Sequence, residues 1–296
     1  MAYQQSLAWY DPEDDIEDNT VKAVIQSAIE NDGGEADAIE QAALTLDKFA
    51  SKYDGYRGAE GYIDGLEDIF IYVAAILDHK SSTQDALVRL VSTLRSLPQR
   101  SGTTHCPEWD NLLNSKNSIV LHEAWNGTCP KKHGSNPDLT MSTGSQGIGS
   151  GLRRGSSDVI ALARWRNFNA FEARMTHKHL CDSRFHALCC FRDALENLDH
   201  DSLHKGPSEF MVNVAMDWLS IAGDELFKNE LEYGFFGRND SDHPDAWKGF
   251  AGFCTERWEL WRSKFERISM DHVRFGPLTR RRAVASAAII QNHLAS

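Results

Sequence analysis

The residues best able to do chemistry in this chain lie in one run, Arg164-Trp165-Arg166-Asn167-Phe168-Asn169-Ala170-Phe171-Glu172-Ala173-Arg174, where large aromatics are interleaved with guanidinium, amide and carboxylate groups. Set on a helix at about 100° per residue, Trp165, Phe168, Phe171 and Met175 share one side, and Arg164 and Glu172 fall on that same side. A charge on an apolar face must be paired, hydrogen-bonded or wet. Arg164 and Glu172 therefore call for partners from other helices, from a ligand, or from water in a cavity. If protein groups satisfy them, the run is a polar network that fixes helix register. If not, it lines a pocket with Asn and Arg donors over aromatic walls. The pocket reading makes Glu172, Asn169 and Arg164 the candidate catalytic residues and Trp165, Phe168, Arg174, Trp218 and Trp258 the candidate binding residues.

The elements that must position this run are helical throughout. Val21, Val24, Ile25, Ala28 and Ile29 repeat at helical spacing over Thr20–Glu30, behind the acids Asp11 to Asp18, which suit the positive end of a helix dipole. Asn31-Asp32-Gly33-Gly34 breaks the chain before a second helix over Ala36–Tyr53. Tyr62–His79 carries the densest stripe of the first half and predicts a core helix. Ser81 or Ser82 can cap the next one, which Pro98 stops. Pro107–Leu113 and Ile119–Trp125 allow short helices. Gly127–Ser157 then holds seven glycines and six serines among 31 residues with no apolar period, which reads as a mobile loop or a lid. It is not a phosphate cradle, since no Gly-Lys-Ser/Thr follows at the needed spacing. Helical patterns resume over Asp158–His179, Arg184–Leu198, Pro207–Tyr233, Asp245–Met270 and Leu278–Leu294. The fold class predicted is all-α, a single multi-helix domain with acidic N-terminal helices over 17–98, the loop over 127–157 and a helical core over 158–296.

Other clusters read more simply. Trp247, Ala251, Cys254, Trp258, Trp261, Phe265 and Ile268 make the seam of a buried helix, and Met211 to Leu226 make another continuous apolar face from which Trp218 can reach a cavity. His177 with Cys181, and His186 with Cys189 and Cys190, have metal-ligand chemistry but not the tight paired spacing of a closed site, so no metal is expected. Arg280-Arg281-Arg282, with Arg262, Lys264, Arg267 and Arg274 upstream, makes the C-terminal region basic and is read as balancing the acidic N-terminal third or facing solvent.

In this second half the chain resembles a family of uncharacterised, mainly fungal proteins known only as a domain of unknown function. The similarity rests on RWRNFNAFEAR at Arg164–Arg174, FRDALE at Phe191–Glu196, VAMDWLSIAGDEL at Val214–Leu226 and GFCTERWELWRSKF at Gly252–Phe265. The resemblance implies a helical, intracellular fungal protein and transfers no activity and no catalytic residue. The family typically has Leu where this chain has Phe168, and the Gly/Ser-rich loop is a local elaboration.

Charge and cysteine content narrow the function. Up to Lys80 there are 18 acidic and 5 basic residues, so most of the net charge of −12 sits in the first third, which argues against nucleic acid as a partner. Six scattered cysteines make no disulfide framework, the acidic start is not a signal peptide, and no apolar run approaches a membrane span; a cytoplasmic protein with no membrane partner is expected. The reading is a protein whose aromatic pocket takes a small apolar ligand and which needs no cofactor, as a cyclase, isomerase or lyase of fungal secondary metabolism, with homo-oligomers allowed. Such a reaction leaves little motif, because holding a folded conformer and polarising one carbonyl can suffice. The alternative is a non-catalytic interaction or regulatory protein in which the polar positions only specify packing.

Overall fold

In a computed structural model, residues 16–31, 37–52, 56–98, 109, 112–113, 158–196, 209–228, 231–233 and 247–296 are described. Among them the chain is all-α apart from one two-residue ladder. Four helices open it: α1 (Ile16–Glu30), α2 (Asp37–Ala50), α3 (Tyr56–Ile76) and α4 (Ser82–Arg95). Then come α5 (Asp158–His177), α6 (Arg184–Phe191), which continues as a π-helical turn (Arg192–Glu196), and α7 (Glu209–Phe227). The ladder pairs β1 (Leu231–Glu232) antiparallel with β2 (Gly252–Phe253), and α8 (Thr255–Met270) and α9 (Pro277–Ala295) close the chain. The predicted 127–157 loop and the short helix over Ile119–Trp125 lie outside the described residues.

Two predicted helices are shorter than their apolar patterns. Asp245–Met270 is helical only from Thr255; Trp247, Ala251 and Cys254 precede the helix in extended chain and do not extend its seam. Glycine is the cause. Gly252 lies in β2, and at Gly249 a side chain would collide with the Trp247 indole, whose Nε1 donates to the Phe250 carbonyl at 2.7 Å. At the other edge, Pro207–Tyr233 stops at Phe227, and Leu231 and Glu232 pair with that same segment instead.

The contacts divide the chain into two compact units, Met1–Phe171 and Glu172–Ser296, so that α5 contributes to both. In the first, α1 to α4 pack on one another around Ile25, Ala43, Leu46, Phe70, Val73 and Leu87, all fully buried. Ser81 caps α4 by accepting the Thr83 N–H at 3.1 Å, as its sequence position suggested. The end of α3 is closed from a distance. Its last carbonyls have no helical donors, and two buried amides supply them: the Gln84 side chain lies 3.1 Å from the carbonyls of both Ala74 and Leu77 and 2.9 Å from that of Asn167, while the Asn167 amide donates to Ala75 at 3.0 Å. The Asn167 side-chain oxygen Oδ1 in turn accepts the His79 N–H at 3.0 Å. Asn167 is thus a helix-end partner. In the second unit α8 and α9 pack along their length, α7 packs on α9 and α6, and the π-helical turn contacts α7 and α8.

Replacing Gln84 by Leu keeps the volume and strands these carbonyls, so the intact chain should lose about 3 kcal/mol in denaturant unfolding. An unchanged midpoint would contradict the closing role given to that amide.

Candidate functional site

The end of α5 is shaped by a tight reversal. Beyond His177, the His179 N–H reaches the Thr176 carbonyl at 3.0 Å and the Leu180 N–H reaches that of Met175 at 2.9 Å, with His179 left-handed at φ 57°. This is the hydrogen-bond pattern with which helices commonly end, though the left-handed position usually carries glycine. The chain is sent back at once into α6. The last turns of α5 then face the start of α6, and Glu172 meets His186, fourteen residues on, with Oε1 at 2.8 Å from Nδ1. Both side chains are buried, and Glu172 Oε2 has no hydrogen-bond partner among the described residues. A carboxylate with one oxygen engaged keeps the lone pairs of the other for a further donor.

Small polar groups surround the reversal. The Cys181 thiol lies 3.4 Å from the Ser183 hydroxyl and 3.8 Å from that of Thr176, and the Ser183 N–H donates to Thr176 Oγ1 at 3.3 Å. Burial, with a further push from the Glu172 charge against the pull of the Ser183 hydroxyl, raises the Cys181 thiol from 9.0 to about 12. It is an inert thiol. Phe185 stands between His186 and Tyr233, with ring centroids 6.3 and 5.3 Å away respectively. Burial also raises the Tyr233 phenol, whose oxygen is buried with no hydrogen-bond partner among the described residues.

A second buried carboxylate is treated in the opposite way. Glu196, at the end of the π-helical turn, receives Arg257 as a two-pronged partner, Nε to Oε1 at 2.7 Å and Nη2 to Oε2 at 3.1 Å, and the Trp261 indole donates to Oε1 at 3.0 Å. Arg257 Nη1 donates to the Gly252 carbonyl at 2.9 Å, and the guanidinium lies 5.3 Å from the Trp261 ring centroid. Both side chains of the pair are fully buried. Aromatic rings close around them: Phe191 stacks on Trp261 at 4.8 Å, Phe253 stacks on Trp258 at 5.3 Å, and Trp258 meets Trp261 edge-on at 4.8 Å. The two oxygens of Glu196 are consumed by protein, and the group is structural.

The residues singled out from sequence divide accordingly. Trp165, Phe168 and Asn169 lie in the first unit, wholly buried, and the Asn169 amide bonds back to the Trp165 carbonyl at 2.9 Å. Arg164 is half-buried, whereas Glu172 is wholly buried. Arg174 is half-buried as well. Trp218 and Trp258 belong to the second unit, both buried, and Trp258 is part of the ring cluster around Arg257 and Glu196. Sequence reasoning missed His186, which it weighed only as a metal ligand, and it missed Glu196 and Arg257. The overlooked signal was a charged side chain one residue from Trp258 and four before Trp261, inside a helix otherwise buried on that side. Among the described residues no group of three or more His, Cys, Asp or Glu is placed to hold a metal ion; His177 is exposed and His186 belongs to Glu172.

An all-α protein in which one buried carboxylate, Glu196, is fully paired and another, Glu172, is held on one oxygen only is the class that fold and site define. The chain belongs to the family described as protein of unknown function (DUF3632), whose model matches residues 67–265 and so takes in both carboxylates and Arg257. No curated protein and no solved structure matches it.

Two outcomes follow from the geometry. Arg257→Met should cost about 3–5 kcal/mol by leaving Glu196 buried and unpaired, and adding Glu196→Leu should recover most of that loss, both read by equilibrium unfolding. Equal stability of single and double variants would contradict the pairing. For Cys181, the unfolded thiol ionises near 9.0 and the folded one only at about 12, so its contribution is complete below pH 9 and is lost as pH rises toward 12. Cys181→Ala should flatten the alkaline fall in stability, and at pH 8 the native thiol should resist iodoacetamide until the protein unfolds.

Proposed function

We propose that the protein binds a small, largely apolar molecule and moves a proton on it at Glu172, without a cofactor, as an isomerase or cyclase of the kind that shapes secondary metabolites in fungi. The observation that carries this is Glu172 Oε2, buried and without a hydrogen-bond partner among the described residues while Oε1 is held by His186. A buried unpaired carboxylate oxygen costs stability, and such costs are commonly tolerated where a ligand completes the site. In this reading Oε2 takes a proton from an acidified C–H or O–H of the ligand and returns it to another atom of the same molecule, while His186 orients the carboxylate and Phe185 supplies an apolar neighbour. The Asn169 amide is already engaged with the Trp165 carbonyl. The four cysteines among the described residues are free thiols, which suits a cytoplasmic setting.

A second reading, an interaction protein without catalysis, is favoured by how many polar side chains serve packing alone. Asn213 and Asp217 of α7 are both held by Arg282 of α9, and Gln84 and Asn167 close a helix end. Native mass spectrometry of the purified protein, with thermal shifts against a panel of apolar polycyclic carbonyl compounds, separates the two. The proposal expects a retained small molecule or a raised melting temperature, and Glu172→Gln should keep binding while abolishing turnover. No retained ligand and no shift across the panel would favour the interaction protein.

A further inference from the structure

The turn joining α8 to α9 presents apolar side chains outward to an unusual degree. Val273 is 95% exposed, Met270 66% and Leu278 56%, and farther along α9 Val284 is 58% exposed. Isolated surface apolar residues need no explanation, but Met270, Val273 and Leu278 cluster at one turn. The turn is not slack. Asp271 Oδ1 accepts the N–H groups of Val273 and Arg274 at 3.0 and 2.9 Å, Arg274 Nε returns to Asp271 Oδ2 at 2.5 Å, and Phe275 beneath is buried. The Gly276 N–H is held by Glu209 at 3.0 Å. Val273 is therefore fixed at the apex in a set conformation.

Charge completes the pattern. Residues 262–282 contain seven arginines and lysines against two acids, in a chain whose net charge is −12. Of the acids around the turn, Glu266 pairs with Arg262 and Asp271 with Arg274, while Glu209 accepts from the Gly276 N–H and the Thr279 hydroxyl. Arg267, Arg274 and Arg281 are exposed, and Arg280 reaches exposed His272 at 2.8 Å. An apolar apex ringed by guanidinium groups matches an interface in which hydrocarbon lies below a negatively charged surface.

We propose that the α8–α9 turn docks the protein on an anionic lipid surface, with Val273, Met270 and Leu278 entering the headgroup–acyl boundary and exposed Arg281, with the net positive charge of residues 262–282, facing the lipid charges. The expectation of no membrane partner rested on the lack of a spanning segment, and no helix among the described residues is long and apolar enough to cross a membrane. Peripheral docking requires no span. A second copy fits less well, because a two-fold contact through this patch would set the arginine clusters against each other. Nucleic acid would use the arginines but has no place for an apolar apex. The inference does not depend on the proton-transfer reading of Glu172.

The test is flotation of the full chain with vesicles of phosphatidylcholine alone and of phosphatidylcholine containing phosphatidylserine, at low and high salt. Binding is expected only to the serine-lipid vesicles, weakened by salt. Arg281→Ala should reduce it about fivefold and Val273→Asp should abolish it, with the melting temperature unchanged in both. Absence of binding to anionic vesicles, or binding indifferent to Val273→Asp, overturns the proposal. A dimer in solution that Val273→Asp dissociates overturns it in favour of a second copy, and capture of an acidic peptide with no vesicle binding does so in favour of a protein partner.

Discussion

The arrangement of the second unit depends on burying the Arg257–Glu196 ion pair without leaving a polar atom short of a partner. A fully buried pair recovers its desolvation only with close geometry and complete hydrogen bonding, and here the Trp261 indole and the Gly252 carbonyl supply what the two charges cannot supply to each other. Those requirements act on three separate pieces of chain. Glu196 must sit at the end of the π-helical turn, Gly252 must be in the short ladder, and Arg257 and Trp261 must be one turn apart on α8. The ring cluster of Phe191, Phe253, Trp258 and Trp261 then excludes water from the pair.

Glu172 shows what the same side chain does when its environment is left incomplete. It is equally buried and comparably close to its partner, yet only one oxygen is occupied by protein. The difference lies in supply: Glu196 has a bidentate guanidinium and an indole, whereas Glu172 has a single imidazole nitrogen. Satisfying one internal carboxylate completely and the other on one oxygen only is what sets Glu172 apart from Glu196. The α5–α6 reversal makes that contact by bringing residues fourteen positions apart together.

Much of the architecture was legible because helical periodicity, Ser81 and Gly276-Pro277 are local signals, and the helices they predicted are present. The helix ends near Trp247 and Phe227 were misread because apolar spacing continued through Gly249 and Gly252, and the two segments that pair, Leu231–Glu232 and Gly252–Phe253, lie far apart in sequence. For the site, the sequence raised the question of Glu172, since a carboxylate on an aromatic face is visible in one window. It assigned Arg164 to the same buried face, whereas that long side chain stays half-exposed, as arginines can while their stems pack. His186 was not legible as the partner, because its role arises only once α5 and α6 fold back on each other. Glu196 and Arg257 are sixty-one residues apart and meet only through tertiary packing.

The central claim is that the buried carboxylates Glu172 and Glu196 serve different ends, and their neutral isosteres test it most directly. Measured side by side by equilibrium unfolding, Glu196→Gln should lose several kcal/mol, roughly the 3–5 kcal/mol expected for breaking a buried pair, because Arg257 is left uncompensated. Glu172→Gln should be as stable as the wild-type chain or more so, because a half-satisfied charge is removed. A loss at Glu172 as large as that at Glu196 would contradict the account and make both carboxylates structural.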